Sequence, residues 1–218
     1  MNDLRVKLAD FDAIIFDLGG VIINICYGKS IEALGQLVAK AGHSLPAEVA
    51  QADVFQQYEM GRITSGEFRD GVRSLLALPN VTDEQLDAAW NAMLLDIPGD
   101  RLKQLQVLGQ TQRTFVLSNT NEIHMKAFGS ILAEALGEPF AKLEHMVEQV
   151  YCSHWMGDRK PNPSIFATII AEQKLNPART LFIDDTLQHI ERARTMGLQV
   201  LHLDPNQGLN FESIRWIA

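Results

Sequence analysis

The chain has 218 residues, of which 46% are hydrophobic and 21% charged, enough apolar material for one large domain or a core with a modest insertion. That excludes a disordered chain. Its 19 basic and 27 acidic residues give a formal charge of −8, a poor match to nucleic acid or an anionic membrane. The same imbalance means that any cluster of its carboxylates favours a cation. Cys26 and Cys152 are too few for a disulfide framework or a four-thiolate zinc site, which fits a reduced, cytoplasmic setting. No apolar stretch reaches ~18 residues, so neither a signal peptide nor a transmembrane helix is expected.

In chain order, the first clear element is Ala13-Ile14-Ile15-Phe16, an apolar run ending at Asp17 and followed by Gly19-Gly20. It reads as a buried parallel strand with function at its carboxyl end. Helical patterns come next. Ser30 opens one through Ile31, Leu34, Leu37 and Val38 that stops at Gly42. A looser one runs from Pro46 through Val49, Phe55 and Tyr58 to Gly61. Thr64 and Glu67 form a capping box for Phe68, Val72, Leu75 and Leu76, and Thr82 and Gln85 form another for Leu86, Trp90, Met93 and Leu94. Pro98-Gly99 ends the series. Four amphipathic helices inserted after the first strand make a small bundle, placed to cover the rim of a sheet.

Beyond Gly99 the pattern changes to alternating helix and strand. Leu102, Leu105 and Leu108 line a helix before the strand Thr114 to Leu117. Gln149-Val150-Tyr151 is a weaker strand. A helix carrying Ile165, Phe166, Ile169 and Ile170 precedes the strand Thr180 to Ile183. A helix with Leu187, Ile190, Ala193 and Arg194 closes at Gly197 before the strand Leu198 to Leu201. The expected fold is α/β: a Rossmann-like parallel sheet with helices on both faces, plus an inserted all-α cap. The core is expected at 1–26 and 99–218 and the cap at 27–98. Ligands on such sheets bind beyond the carboxyl ends of the strands.

Those ends carry the chemistry. Asp17, Ser118-Asn119 and Asp184-Asp185 each close a strand, and Lys160 stands on a loop before Pro161. Singly, each has an ordinary reading as a turn, a cap or a surface charge. In a parallel sheet they meet on one rim. Three carboxylates at one point resist ionising together. A lysine and a divalent cation relieve that, and hard oxygen ligands suit Mg²⁺. Gly28-Lys29-Ser30 is not a phosphate-binding loop, because the glycine required five residues earlier is Ile23. Cys152 and His154 form one metal-ligand pair without a second.

Four segments in order, Ile15-Phe16-Asp17-Leu18-Gly19-Gly20-Val21, Val116-Leu117-Ser118-Asn119-Thr120, Gly157-Asp158-Arg159-Lys160-Pro161 and Phe182-Ile183-Asp184-Asp185-Thr186, resemble the motifs of haloacid dehalogenase (HAD) superfamily phosphatases. The long gap between the first two matches the branch with a helical cap after strand one. The resemblance implies that Asp17 is a nucleophile forming an aspartyl-phosphate. It implies Mg²⁺ held by Asp17, the Gly19 carbonyl, Asp184 and Asp185. Ser118 and the Asn119 backbone N–H would hold phosphate oxygens, and Lys160 would neutralise them and orient Asp17. Arg62, on the turn Glu59 to Thr64, is where the cap of this family reaches substrate.

One departure stands out. The family's usual acid–base aspartate, two residues after the nucleophile, is Gly19 here. Such a group is worth ~10²–10⁴-fold. The Asp-x-Gly form and the segment Ser118 to His124 resemble α-D-glucose-1-phosphate phosphatase-like members, which favours a sugar phosphate such as a hexose 1-phosphate. His124 and His154 are candidates to replace the acid. The expected function is therefore a Mg²⁺-dependent phosphatase on a small phosphorylated metabolite, a monomer or weak homodimer with no nucleic-acid or membrane partner. The alternatives are a 2-haloacid dehalogenase and a catalytically weak binding protein on the same scaffold.

Overall fold

A computed structural model describes residues 4–42, 44–45 and 52–217. Strands β1 (Leu4–Lys7), β2 (Ala13–Phe16), β3 (Arg113–Ser118), β4 (Gln149–Cys152), β5 (Thr180–Asp184), β6 (Gln199–His202) and β7 (Ile214–Ile217) fall into two sheets. The larger has the order β4-β3-β2-β5-β6, and each of its pairings is parallel. The strand that precedes Asp17 is therefore central, flanked by the strands that end in Ser118 and Asp184.

The apolar runs are uninterrupted because both faces are covered. Successive side chains on a strand point to opposite faces. Ile14 and Phe16 enter one core with Val116, Leu181 and Ile183. That core is closed by Leu102 and Leu105 of α5 (Gly99–Leu108) and by Phe128 and Leu132 of α6 (Glu122–Leu136). Ala13 and Ile15 enter the other with Phe115, Leu117 and Phe182, against Ile165 and Phe166 of α8 (Pro163–Glu172) and Ile190 of α9 (Leu187–Thr195). The weak strand at Gln149 is real, runs on to Cys152 and is followed by the single turn α7 (Ser153–Met156).

The pair β1–β7, in register Leu4↔Ile214 to Lys7↔Ile217, is not evident in the sequence. Only Val6 of β1 is buried, so the strand lacks a continuous apolar run.

Helices α1 (Tyr27–Lys40), α2 (Asp53–Glu59), α3 (Ser65–Leu76) and α4 (Asp83–Asn91) share their own core of Leu34, Val38, Tyr58, Phe68, Val72, Leu76 and Leu86. Both expected capping boxes form. Helix α1 starts at Tyr27, three residues before the expected Ser30. The Ser30 hydroxyl donates to Trp90 O (2.6 Å) and accepts from Met93 N (3.0 Å), joining α1 to the end of α4. Helix α2 begins at Asp53, and the expected start at Pro46 and Val49 lies outside the described residues.

This helical unit stands on the sheet domain through specific bonds. Tyr58 Oη accepts from Ile123 N at 3.1 Å, Ser65 bonds Glu122, and Asn91 Oδ1 bonds His124 Nδ1 at 2.8 Å. On the β4 side, Ser153 Oγ donates to Glu59 O at 2.7 Å. The turn after Glu59 needs glycine: Gly61 has φ +63°, and a Cβ there would stand 2.1 Å from the His154 carbonyl oxygen. Among the described residues, no helix is long and apolar enough to cross a membrane.

Candidate active site

Asp17 continues the path of β2: its N–H donates to Ile183 O at 2.8 Å, and its Oδ1 accepts from Leu18 N at 2.6 Å. The chain then folds tightly back, with Gly20 N donating to Ile23 O at 2.8 Å. Gly20 has φ +73°, and a Cβ there would lie 2.1 Å from Asp185 Oδ2. The turn after Asp17 and the carboxylate after β5 therefore touch, which only glycine permits.

Lys160 is wholly buried, with Nζ 2.9 Å from Asp17 Oδ1 and 2.6 Å from Asp184 Oδ2. Its loop is fixed by Asn119, whose amide accepts from Lys160 N and donates to Lys160 O, both at 2.9 Å. Asp184 also accepts from Thr186 N at 2.8 Å and lies 3.0 Å from His189 Nδ1. Ser118 is buried at the end of β3, in register with Cys152 of β4. Asp17, Ser118, Asn119, Lys160, Asp184 and Asp185 thus share the carboxyl rim of the sheet. Arg62 stands apart from the lysine bridge: it is exposed on the turn between α2 and α3, and its charge acts on Asp158.

The electrostatics follow from one ammonium serving two buried acids, Asp17 and Asp184, and the half-buried Asp185. Burial pushes the Asp17 carboxyl well above the usual range, Lys160 opposes this, and Asp184 and Asp185 add to it. Burial also opposes ionisation of Asp184, but Lys160 and the His189 contact outweigh it and hold Asp184 at about 2. Asp185 is raised by burial and by Asp184. The cluster is short of positive charge.

His124 is not part of it. Its ring stacks on Trp90 (4.9 Å between centroids), and its Nδ1 is engaged by Asn91. Burial lowers its pKa to about 4, so it is neutral and structural. The sign of the linkage is clear. The unfolded chain binds this proton below about pH 6.5 and the folded chain only below about 4, so stability falls as pH drops through that window. In unfolding titrations, His124→Gln is expected to flatten that fall by on the order of 3 kcal/mol relative to wild type. Parallel profiles for the two proteins would contradict it. His154, the other histidine candidate, has its pKa lowered by burial, and its Nδ1 is buried without a partner.

The family model for haloacid dehalogenase-like hydrolases matches residues 11–197. The chain belongs to that family. One HAD relative, the D-ribitol-5-phosphate phosphatase of Bacteroides thetaiotaomicron, is 28% identical over 198 residues, covering 91% of this chain and 93% of the relative. A HAD family enzyme of the same organism, solved in complex with magnesium and inorganic phosphate, is 33% identical with a TM-score of 0.79, covering 89% of this chain and 94% of that one. The L-2-haloacid dehalogenase of Xanthobacter autotrophicus shares only the fold, at 18% identity and a TM-score of 0.54 over 88% of this chain and 77% of that one.

Three features of this HAD site went unread in the sequence. His189 lies with Asp17 and Asp184 such that one ligand atom from each falls within 4.8 Å of the others. Its position five residues after Asp184, on the first turn of α9, was the available signal. Arg159 Nε meets Glu59 Oε2 of α2 at 2.9 Å. Tyr27 presents a 64% exposed ring at the start of α1. On its cleft side, burial and the charges of Asp17, Asp185, Glu59 and Asp184 push its pKa up, so its hydroxyl stays neutral.

Proposed function

We propose that the chain is a Mg²⁺-dependent phosphatase acting on a small phosphorylated sugar or sugar alcohol. The observation that carries this is the buried Lys160 bridging Asp17 and Asp184 while Asp185 rests on the Gly20 turn. The donor set fits Mg²⁺: hard carboxylate oxygens on one rim, one ammonium among three acids, and raised Asp17 and Asp185 that a dication would return to their charged forms. Asp17, the Gly19 carbonyl, Asp184 and Asp185 would hold the ion. When bound, it supplies Lewis-acid charge that lets one anion approach another.

The chain's own residues do the rest. Asp17 attacks phosphorus as the bond to the ester oxygen breaks, becoming an aspartyl-phosphate that water then hydrolyses to free phosphate. Lys160 holds the Asp17 carboxylate at 2.9 Å and meets the charge on the equatorial oxygens. The Ser118 hydroxyl and the Asn119 N–H take phosphate oxygens, while the Asn119 side chain keeps the Lys160 loop in place. His189 fixes the orientation of Asp184. In this reading 1–26 and 99–218 form the catalytic core, 27–98 forms the cap, and Arg62 meets the far end of the substrate. The sugar-alcohol substrate class rests on the name of the 28% identical relative. The free Cys26 and Cys152 are consistent with a reduced, cytoplasmic setting.

The test is phosphate release from a panel of sugar phosphates, sugar-alcohol phosphates and p-nitrophenyl phosphate, with Mg²⁺ and with EDTA. Turnover is expected only with Mg²⁺, fastest on a sugar or sugar-alcohol ester. Activity that persists in EDTA would remove the metal from the reading, and preference for nucleotides would remove the substrate class.

A further inference from the structure

Gly19 presents no side chain, so nothing on the nucleophile's own turn meets the oxygen that leaves phosphorus. The chain itself crowds that position: a Cβ on Gly19 would stand 3.1 Å from Ile25 Cδ1. Ile25 lies in the extended stretch that leads into α1. It bridges Leu94, and the next residue, Cys26, is extended at φ −143° and ψ 94°. Tyr27, the first residue of α1, comes two positions after the side chain that lies against Gly19.

Two further observations place Tyr27 at the site. Its hydroxyl lies within electrostatic reach of all three rim carboxylates, Asp17 foremost among them, and of Glu59 on the cap. It makes no hydrogen bond among the described residues, although the charges that act on it most are those of carboxylate acceptors. Three other polar groups have partners of their own. His124 is stacked on Trp90 and bonded to Asn91, Glu59 is paired with Arg159, and Arg62 acts on Asp158.

We propose that the Tyr27 hydroxyl donates a hydrogen bond to the bridging ester oxygen of the substrate, at the place an acid on position 19 would serve. The proposal rests on the phosphatase reading above and extends it to the leaving group. As an Asp17 oxygen bonds to phosphorus, the bond from phosphorus to the ester oxygen breaks and its electron pair passes to that oxygen. Tyr27 hydrogen-bonds to the developing alkoxide and keeps its own proton. The alkoxide takes a proton from solvent water, leaving hydroxide. A phenol ionises only near about 10, so at neutral pH the hydroxyl is a donor. The benefit is largest for unactivated alkyl esters, whose alkoxides are poor leaving groups, and vanishes for aryl or acyl phosphates.

Tyr27→Phe tests this, because a ring that is 64% exposed can lose its hydroxyl without disturbing the core. On the best alkyl ester of the panel, kcat/KM is expected to fall roughly 10–100-fold, toward the size of other single donors to developing oxyanions. On p-nitrophenyl phosphate it is expected to stay within about 2-fold, since that leaving group needs no donor. The affinity for inorganic phosphate with Mg²⁺, measured by calorimetry, is expected to be unchanged. Equal losses on both esters, or no loss on the alkyl ester, would overturn the assignment of Tyr27 while leaving the phosphatase reading intact. A wild-type protein that releases phosphate from neither ester would overturn both.

Discussion

Asp17→Asn is expected to lower phosphate release by ~10⁴-fold or more, the scale seen when a nucleophile is removed. The substitution is nearly isosteric, so the Leu18 N–H retains an acceptor and the turn to Gly20 persists. What disappears is the oxygen that would bond to phosphorus. Labelled substrate would then leave no acid-stable, base-labile phosphate on the protein. Stability is expected to move the other way. The Asp17 carboxyl is raised by burial and by its acidic neighbours, so its charge is a strain on the folded state at neutral pH. The variant should melt at or above the wild-type temperature in the absence of metal. A variant that turned over at wild-type rate would remove Asp17 from the chemistry.

Lys160→Met carries the second large effect, and here activity and stability fall together. The ammonium is completely buried and is the partner of both Asp17 and Asp184. Breaking a buried ion pair from one side typically costs about 3–5 kcal/mol, because the remaining charge is left without compensation. Here two carboxylates lose it. Chemical denaturation without metal is the measurement, and Mg²⁺ should recover part of the loss by supplying charge to the same acids. Adding Asp184→Asn to Lys160→Met should restore stability further while turnover stays at background. Wild-type stability in the single variant would mean that the acids are already protonated and the bridge is idle.

How much of this was legible depends on how locally each feature is encoded. The strands ending at Asp17, Ser118 and Asp184 were readable because burial on both faces leaves uninterrupted apolar runs, and their parallel order made the rim predictable. The capping boxes at Thr64 and Thr82 were readable because their partners lie three residues away. Strand β1 was not, since its polar alternation hides a partner at the far end of the chain. Ser30 marked the expected start of the first inserted helix, yet its hydroxyl serves Trp90 and Met93, a tertiary bond that no local pattern encodes. His124 looked like a catalytic substitute because it lies close after Ser118 in sequence. The helix turns it instead onto Trp90. Tyr27 and Glu59 depend on how the inserted helices rest against the sheet, and sequence spacing is silent about that.

The first turn of α6 has a consequence for traffic. It is both the continuation of the loop from Ser118 and the footing for Tyr58 and Asn91. Swinging the helices away as a trapdoor would forfeit those bonds and the one from Ser153 to Glu59, each worth about 1 kcal/mol, and would wet the face of Trp90. Any movement that lifts these helices off the rim therefore has to break that footing first.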